Sequence, residues 1–175
     1  MISQILSDAQ VSEIDIHADA DWAGCPESRR STSGFCLFVS GNLIHSASRA
    51  QGSIAMSSAE SEPYTLCTAT SEGIFLRNLM YEAGMSRGKV RLNIFTDSSA
   101  AKSIVSRIGP GKRSKHIHMK YLLMQELNID GQIKMHIVSS MMNTADLVTK
   151  YLTGDPTQRL SRMLRLQAIH SDHQL

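Results

Sequence analysis

Cysteine is scarce in this 175-residue chain. Its three cysteines, Cys25, Cys36 and Cys67, are odd in number and far apart, with no Cys-x-x-Cys pair. That pattern argues against a disulfide framework and a thiolate zinc site, and it fits a reducing compartment. Long apolar runs are also missing. None approaches the roughly 20 residues that a membrane-spanning helix needs, so no membrane partner is expected. Residues 1–13 lack the basic start and apolar centre of a secretory signal and read as a lead-in. An intracellular setting is expected, with a cytoplasmic particle and the nucleus both left open. Acidic residues are missing too, but only locally. Between Asp97 and Glu126 there are none, while Lys102, Arg107, Lys112, Arg113, Lys115 and Lys120 fall in that window with His116 and His118. The net charge of +2 demands no nucleic-acid partner, yet this local asymmetry suggests a surface facing phosphates. A solvated helix face is the plainer alternative.

What is present is enough for one domain: 42% hydrophobic and 19% charged residues. Residues 14–18 alternate as a strand. Residues 33–39 form a short apolar strand, Ser40-Gly41-Asn42 has hairpin-turn chemistry, and residues 43–48 form the return strand. The period then changes. From Pro63 to Ala83, Leu66, Ala69, Gly73, Leu76, Met80 and Ala83 recur at three and four, which predicts an amphipathic helix stopped by Gly84. Ala69 and Gly73 are small enough to let it approach a sheet closely. Residues 90–96 predict a fourth strand, after which Asp97 caps a helix through Val105. A further helix is predicted over 115–129 and a fifth strand over 133–138. A short helical stretch spans 143–150, and a tail from 153 carries a basic amphipathic segment over 159–166 that frays from Ala168. The order βββαβααβα predicts an α/β fold: a mixed five-stranded sheet, an antiparallel three-strand meander plus parallel strands, flanked by helices.

Four carboxylates stand where elements begin or end. Asp19 follows the first strand, Glu62 opens the long helix, Asp97 follows the fourth strand and Asp146 lies in the short helical stretch. In such a mixed sheet the ends of the first and fourth strands can lie side by side, which would place Asp19 and Asp97 together, with Glu62 and Asp146 supplied from adjoining helices. A cluster of this kind repels itself unless cations hold it, and hard divalent ions, above all Mg²⁺, take such oxygen ligands. Phosphodiester cleavage by two ions roughly 4 Å apart uses carboxylates of this number and no Ser or Cys nucleophile. Each acid alone has a plainer reading: Asp97 as a helix cap, Asp146 as a surface acid. Asp21 and Glu60 are close neighbours that compete for the same roles.

Five blocks then carry a resemblance. Asp19-Ala20-Asp21-Trp22-Ala23-Gly24 with Arg30-Ser31-Thr32-Ser33-Gly34, Ser57-Ser58-Ala59-Glu60-Ser61-Glu62, Phe95-Thr96-Asp97-Ser98-Ser99-Ala100-Ala101, Lys115-His116-Ile117-His118-Met119-Lys120-Tyr121, and Asn143-Thr144-Ala145-Asp146-Leu147-Val148-Thr149-Lys150 resemble, in order, the ribonuclease H domain of copia-type retrotransposon Pol polyproteins. The resemblance covers residues 14–152 and leaves 153–175 as a partly helical extension. It implies the ribonuclease H-like fold, metal-dependent hydrolysis of the RNA strand of an RNA–DNA hybrid, two Mg²⁺ ions (Mn²⁺ as substitute), and a reverse transcriptase domain of the parent polyprotein as partner. It also implies that Asp19 bridges both metals, that Glu62 and Asp97 hold the one beside the leaving group, and that Asp146 helps hold the one that activates water. Asp21-Trp22 then reads as a structural turn with a buried ring. Lys112, Arg113 and Lys115 are the candidate phosphate contacts, followed by Arg29 and Arg30. Ser98 is a further candidate, with helix capping as its plainer role.

The chain departs from the family pattern in three places. Pro63 stands where the family usually has an aromatic. It predicts a helix starting at Pro63 with Glu62 at the cap, which puts the reach of that carboxylate to a metal in question. The stretch Ser139-Ser140-Met141-Met142 lacks the mobile histidine that many ribonucleases H carry before the last aspartate. The chain also reads as a piece of a longer polyprotein. These departures motivate a second expectation, a catalytically inactive nucleic-acid-binding remnant. An integrase-like nuclease ranks last, because its glutamate comes on a late helix rather than second. His116 or His118, His17 and His45 read as structural, the last two half-buried, and the ten methionines, Met141-Met142 included, as core filler.

Overall fold

The alternation seen over 14–18 runs further than the sequence suggests. In the computed structural model, which describes residues 11–106 and 118–166, strand β1 spans Glu13–Asp21. Ile14, Ile16 and Ala18 are fully buried. Strands β2 (Thr32–Val39) and β3 (Asn42–Ala50) follow as antiparallel neighbours. Their hairpin turns through Ser40 and Gly41, both at positive φ (51° and 72°), the geometry that matches the right-handed twist of the strands. Strands β4 (Arg91–Thr96) and β5 (Ile133–Ile137) add in parallel, giving the order β3-β2-β1-β4-β5. The mixed five-stranded sheet expected from the element order is therefore present.

Helix α1 (Ser58–Glu82) begins five residues before the predicted start, so Pro63 lies inside it rather than at its first position. The proline deprives the Ala59 carbonyl of its helical partner. Other bonds hold the first turn instead. The Glu60 and Ser61 N–H groups donate to the Ser57 carbonyl, and Glu60 Oε2 accepts from the N–H of Met56, the residue before the N-cap, at 2.8 Å. Gln51 Nε2 donates to the Ser61 carbonyl and reaches Ser33 Oγ, each at 3.0 Å, tying this turn to β2. Further along, Leu66, Ala69, Gly73, Leu76 and Met80 pack on the sheet as their spacing predicts. At Gly73 an added Cβ would lie 2.4 Å from Ile16 Cδ1, so glycine permits the close approach and any larger residue there would have to move the end of the Ile16 side chain.

Helices α2 (Ser99–Val105) and α3 (His118–Ile129) follow β4. The predicted start of α3 at Lys115 lies outside the described residues. A single 3-10 turn (Ser140–Met142) leads to the one-turn helix α4 (Asp146–Thr149), and α5 (Asp155–Met163) comes next. The tail helix thus starts earlier than its 159–166 pattern indicated, with Pro156 in its first turn. Leu164 is buried with Cys36 and Phe38 on the sheet face opposite α1, so the extension takes part in the packing. Residues from Ala168, expected to fray, lie outside the described set, as do residues 1–10 of the lead-in.

Three burial expectations fail. Met56, before α1, and Met141 and Met142, on the short turn before α4, are exposed rather than core filler. His45 is exposed on the edge strand β3. Trp22 is 46% exposed; its ring is fixed by the bond from Nε1 to the Ala55 carbonyl at 3.0 Å, not by burial. His17 is half-buried as expected. It stacks on Phe95, whose other face stacks on His136. Burial holds its imidazole down at about 4, hence neutral at physiological pH.

Candidate metal centre

Strand register does most of the work of assembly. β1 and β4 pair in parallel with His17 opposite Phe95. Asp19 and Asp97 each lie two residues further on, so they emerge together at one end of the sheet. Asp146 arrives from α4, which is pinned by the fully buried Asn143. Its Nδ2 donates to the Ala18 carbonyl at 3.1 Å, next to Asp19, and its Oδ1 accepts from the Ala145 N–H. Carboxylate oxygens of Asp19, Asp97 and Asp146 consequently lie within 4.8 Å of one another. Asp19 and Asp146 are buried and Asp97 is half-buried.

Glu62, carried on the second turn of α1 rather than at a cap, falls outside that 4.8 Å set but lies close enough to feel the charges of Asp19 and Asp97. It is buried, and its Oε2 has no hydrogen-bond partner. Burial, then the charges of Asp19 and Asp97, push its carboxyl up to about 8; Lys150 and the Ala20 backbone N–H pull the other way. Burial likewise raises Asp146. A set of hard oxygen donors, self-repelling and with one buried oxygen unpartnered, fits a divalent cation of the Mg²⁺ class. Asp19, Asp97 and Asp146 would hold it, with Glu62 beside them.

Two neighbours complete the site, and the sequence reading assigned them no role. Thr149 Oγ1 lies within reach of both Asp19 Oδ2 and the Ala145 carbonyl. It has one proton to give, and the carboxylate is the stronger acceptor. Lys150 Nζ sits 2.9 Å from Asp146 Oδ1 and 3.3 Å from Asp19 Oδ1. The only prior signal was the i, i+4 spacing of Asp146 and Lys150. Gly34, opposite Asp19 in the β1–β2 ladder, makes this approach possible: an added Cβ would lie 2.3 Å from Thr149 Cγ2 and 2.8 Å from Val148 Cγ2. Gly34→Ala is expected to destabilise the domain by roughly 1–3 kcal/mol, as overpacked cores do, and to disturb the Thr149 and Lys150 contacts. Urea unfolding of the variant beside the parent chain measures this, and an unchanged midpoint would show that α4 yields without cost.

The competing acids are employed elsewhere. Glu60 serves the first turn of α1. Asp21 packs over Gly24, where a Cβ would lie 1.9 Å from its Oδ2. Ser98, rather than Asp97, is the N-cap of α2: its Oγ accepts from the Ala101 N–H at 3.2 Å. Arg29 and Arg30 are exposed on the β1–β2 loop, at the end of the sheet where the acids meet. Lys112, Arg113 and Lys115 lie outside the described residues.

This sheet order, with its flanking helices, is that of a ribonuclease H fold. LC11-RNase H1, isolated from compost by a metagenomic approach, superposes with a TM-score of 0.59 over 78% of this chain and 92% of its own, at 15% identity. The same enzyme in complex with an RNA/DNA hybrid gives 0.52 over 77% and 92%, also at 15% identity. In sequence, the chain is 28% identical over 89% of its length to the retrovirus-related Pol polyprotein from transposon TNT 1-94 of Nicotiana tabacum. A similar Pol polyprotein from transposon RE2 of Arabidopsis thaliana is 28% identical over 86% of the chain. The resemblance to copia-type Pol polyproteins read from the five blocks therefore holds over most of the chain, and the comparisons together support a ribonuclease H domain of retrotransposon Pol. The chain spans about a tenth of the length of these curated relatives, 11% and 10%. No family model matches it. Among the described residues no helix is long and apolar enough to cross a membrane.

Proposed function

We propose that this domain is a metal-dependent endonuclease that hydrolyses the RNA strand of RNA–DNA hybrids, and that Asp19, Glu62, Asp97 and Asp146 are its catalytic acids. The observation that carries the proposal is the meeting of three aspartates from β1, the end of β4 and α4, with Glu62 buried beside them. A pair of Mg²⁺ ions, when bound, supplies an activated water and stabilises the departing 3′ oxygen. The chain's own contribution is to orient and to desolvate. Thr149 fixes the rotamer of Asp19, Asn143 fixes α4, and the buried setting strengthens every electrostatic contact within it. The start of α1 at Ser58, with a first turn that has its own ties, supports a role for Glu62 despite Pro63. The reason for expecting an inactive remnant is correspondingly weaker.

Hybrid recognition would rest on phosphates and 2′-hydroxyls, with little sequence preference. Arg29 and Arg30, on the loop beside the acids, are proposed phosphate contacts, together with Lys112, Arg113 and Lys115. Ser98 could contribute only through the proton of its hydroxyl, because its N–H donates to Thr96 Oγ1 at 3.1 Å and its Oγ already accepts from the Ala101 N–H as a cap. The proposed partner in the parent polyprotein is its reverse transcriptase domain.

The test is cleavage of a labelled hybrid by the purified chain in Mg²⁺ and in EDTA. Cutting of the RNA strand alone, dependent on metal, is expected. Tight, salt-sensitive hybrid binding without any cutting would instead favour the non-catalytic remnant.

A further inference from the structure

Lys150 is absent from the set of acids the function requires, yet it makes the closest ionic contacts in the site. Its ammonium lies between Asp146 Oδ1 at 2.9 Å and Asp19 Oδ1 at 3.3 Å. Among the described residues it is the one cation in contact with these carboxylates. Asp19 is therefore engaged at both oxygens, by Lys150 at Oδ1 and by Thr149 at Oδ2. Asp19 and Asp146 would hold a divalent ion through carboxylate oxygens, and one oxygen of each is in contact with the ammonium. The side chain of Lys150 is 34% exposed, against 2% and 10% for its two partners. It thus has a path to solvent that the aspartates lack. The backbone anchors it from below, since the Lys150 N–H donates to the Asp146 carbonyl at the end of α4.

We propose that Lys150 is a built-in competing cation: its ammonium neutralises Asp19 and Asp146 before metal arrives and must be displaced from them for a divalent ion to bind. This rests on the metal-dependent reading of the site and adds to it a residue that sets metal affinity. Losing the positive charge has two opposed consequences. The metal-free chain loses the group that holds its acids together, so it is less stable. The acids are then fully available, so metal binds more tightly. Lys150→Arg keeps the charge and should keep the competition; Lys150→Gln removes it.

Calorimetric titration of the full chain with Mn²⁺ tests this without recourse to activity. Lys150→Gln is expected to bind Mn²⁺ about tenfold more tightly than the parent chain, Lys150→Arg within about twofold of it. In EDTA, the Gln variant should melt at a lower temperature. Should Lys150→Gln fail to fold, Lys150→Met, which keeps the aliphatic stem, takes its place. A second readout needs no variant: the ¹⁵N-lysine NMR signal of the Lys150 ammonium should move to the position of a solvated lysine when Mg²⁺ is added. Equal or weaker Mn²⁺ binding by the charge-removed variant, or an ammonium signal indifferent to Mg²⁺ while metal binds, overturns the role of Lys150 and leaves the metal centre standing. Absence of Mn²⁺ binding by parent and variant alike overturns both.

Discussion

Asp97→Asn should give a folded protein whose metal-dependent cleavage of an RNA–DNA hybrid is lower by on the order of 10³-fold or more, the size expected when several kcal/mol of charge stabilisation is lost. The side chain lies just past the end of β4 and is half-buried, so an isosteric amide fits without repacking. The amide also removes one negative charge from a cluster that contains Asp19 and Asp146 within 4.8 Å. Folding without metal should therefore be unharmed or slightly favoured. The two halves of this expectation are measured separately, the first by hybrid cleavage at saturating Mg²⁺, the second by a urea midpoint in EDTA. Cleavage within tenfold of the parent chain would remove Asp97 from the catalytic set. A lost urea transition would mean that the site is structural before it is functional.

Glu62 should dominate the pH dependence of stability above neutrality. Unfolded, its carboxyl titrates near 4.5; folded, it keeps its proton up to about 8, because of burial first and the charges of Asp19 and Asp97 next. Between those values the folded chain binds more protons than the unfolded one, so stability falls as pH rises. His17 works in the opposite direction. Burial lowers it from 6.5 to about 4, so the unfolded chain binds more protons in that window and stability is lost as pH falls. The two trends overlap below 6.5 and separate above it. In EDTA, the parent chain should lose roughly 2 kcal/mol between pH 6.5 and 8.5, somewhat over a unit of differential titration at about 1.36 kcal/mol each. Glu62→Gln should flatten that limb and be the more stable protein at pH 8.5. Mg²⁺ should recover the parent chain, since a dication favours the ionised carboxylate that burial opposes. Parallel pH profiles for the two proteins would show that Glu62 titrates normally and lies apart from the acids.

The strands were legible because a two-residue period survives one-sided burial: Ile14, Ile16 and Ala18 mark β1, and Leu92 and Ile94 mark β4. The element order implied a mixed sheet in which the ends of these two strands can lie side by side, and with it the meeting of Asp19 and Asp97; their parallel register is a finding of the structure. The start of α1 was misplaced because Pro63 was given the first helical position. Local chemistry five residues earlier, Ser57 and Glu60 with Met56, sets the start instead. Asn143, Gln51, Thr149 and, apart from its i, i+4 spacing to Asp146, Lys150 were not legible as supports. Their partners are a backbone carbonyl 125 residues away, another 10 residues away, and a carboxylate 130 or more away. Polar contacts at such separations leave no periodic trace. Trp22 and the pair Met141-Met142 failed for a related reason: residue type sets a tendency to be buried, but position on a loop or a short turn overrules it.

The parallel pairing of β1 with β4 also fixes what kind of sequence change the site can absorb. Asp19 and Asp97 meet because each stands two places beyond one shared rung, His17 with Phe95. The sheet acts as a ruler on which the acids are marks. Substitution along either strand leaves the marks in place. Losing or gaining one residue within β4 turns its remaining side chains to the opposite face, and a two-residue slip carries Asp97 about 7 Å along the strand. The β1–β2 loop that carries Arg29 and Arg30 has no part in that measure. Its length and charge can drift, retuning the proposed phosphate contacts while the spacing of the acids stays constant.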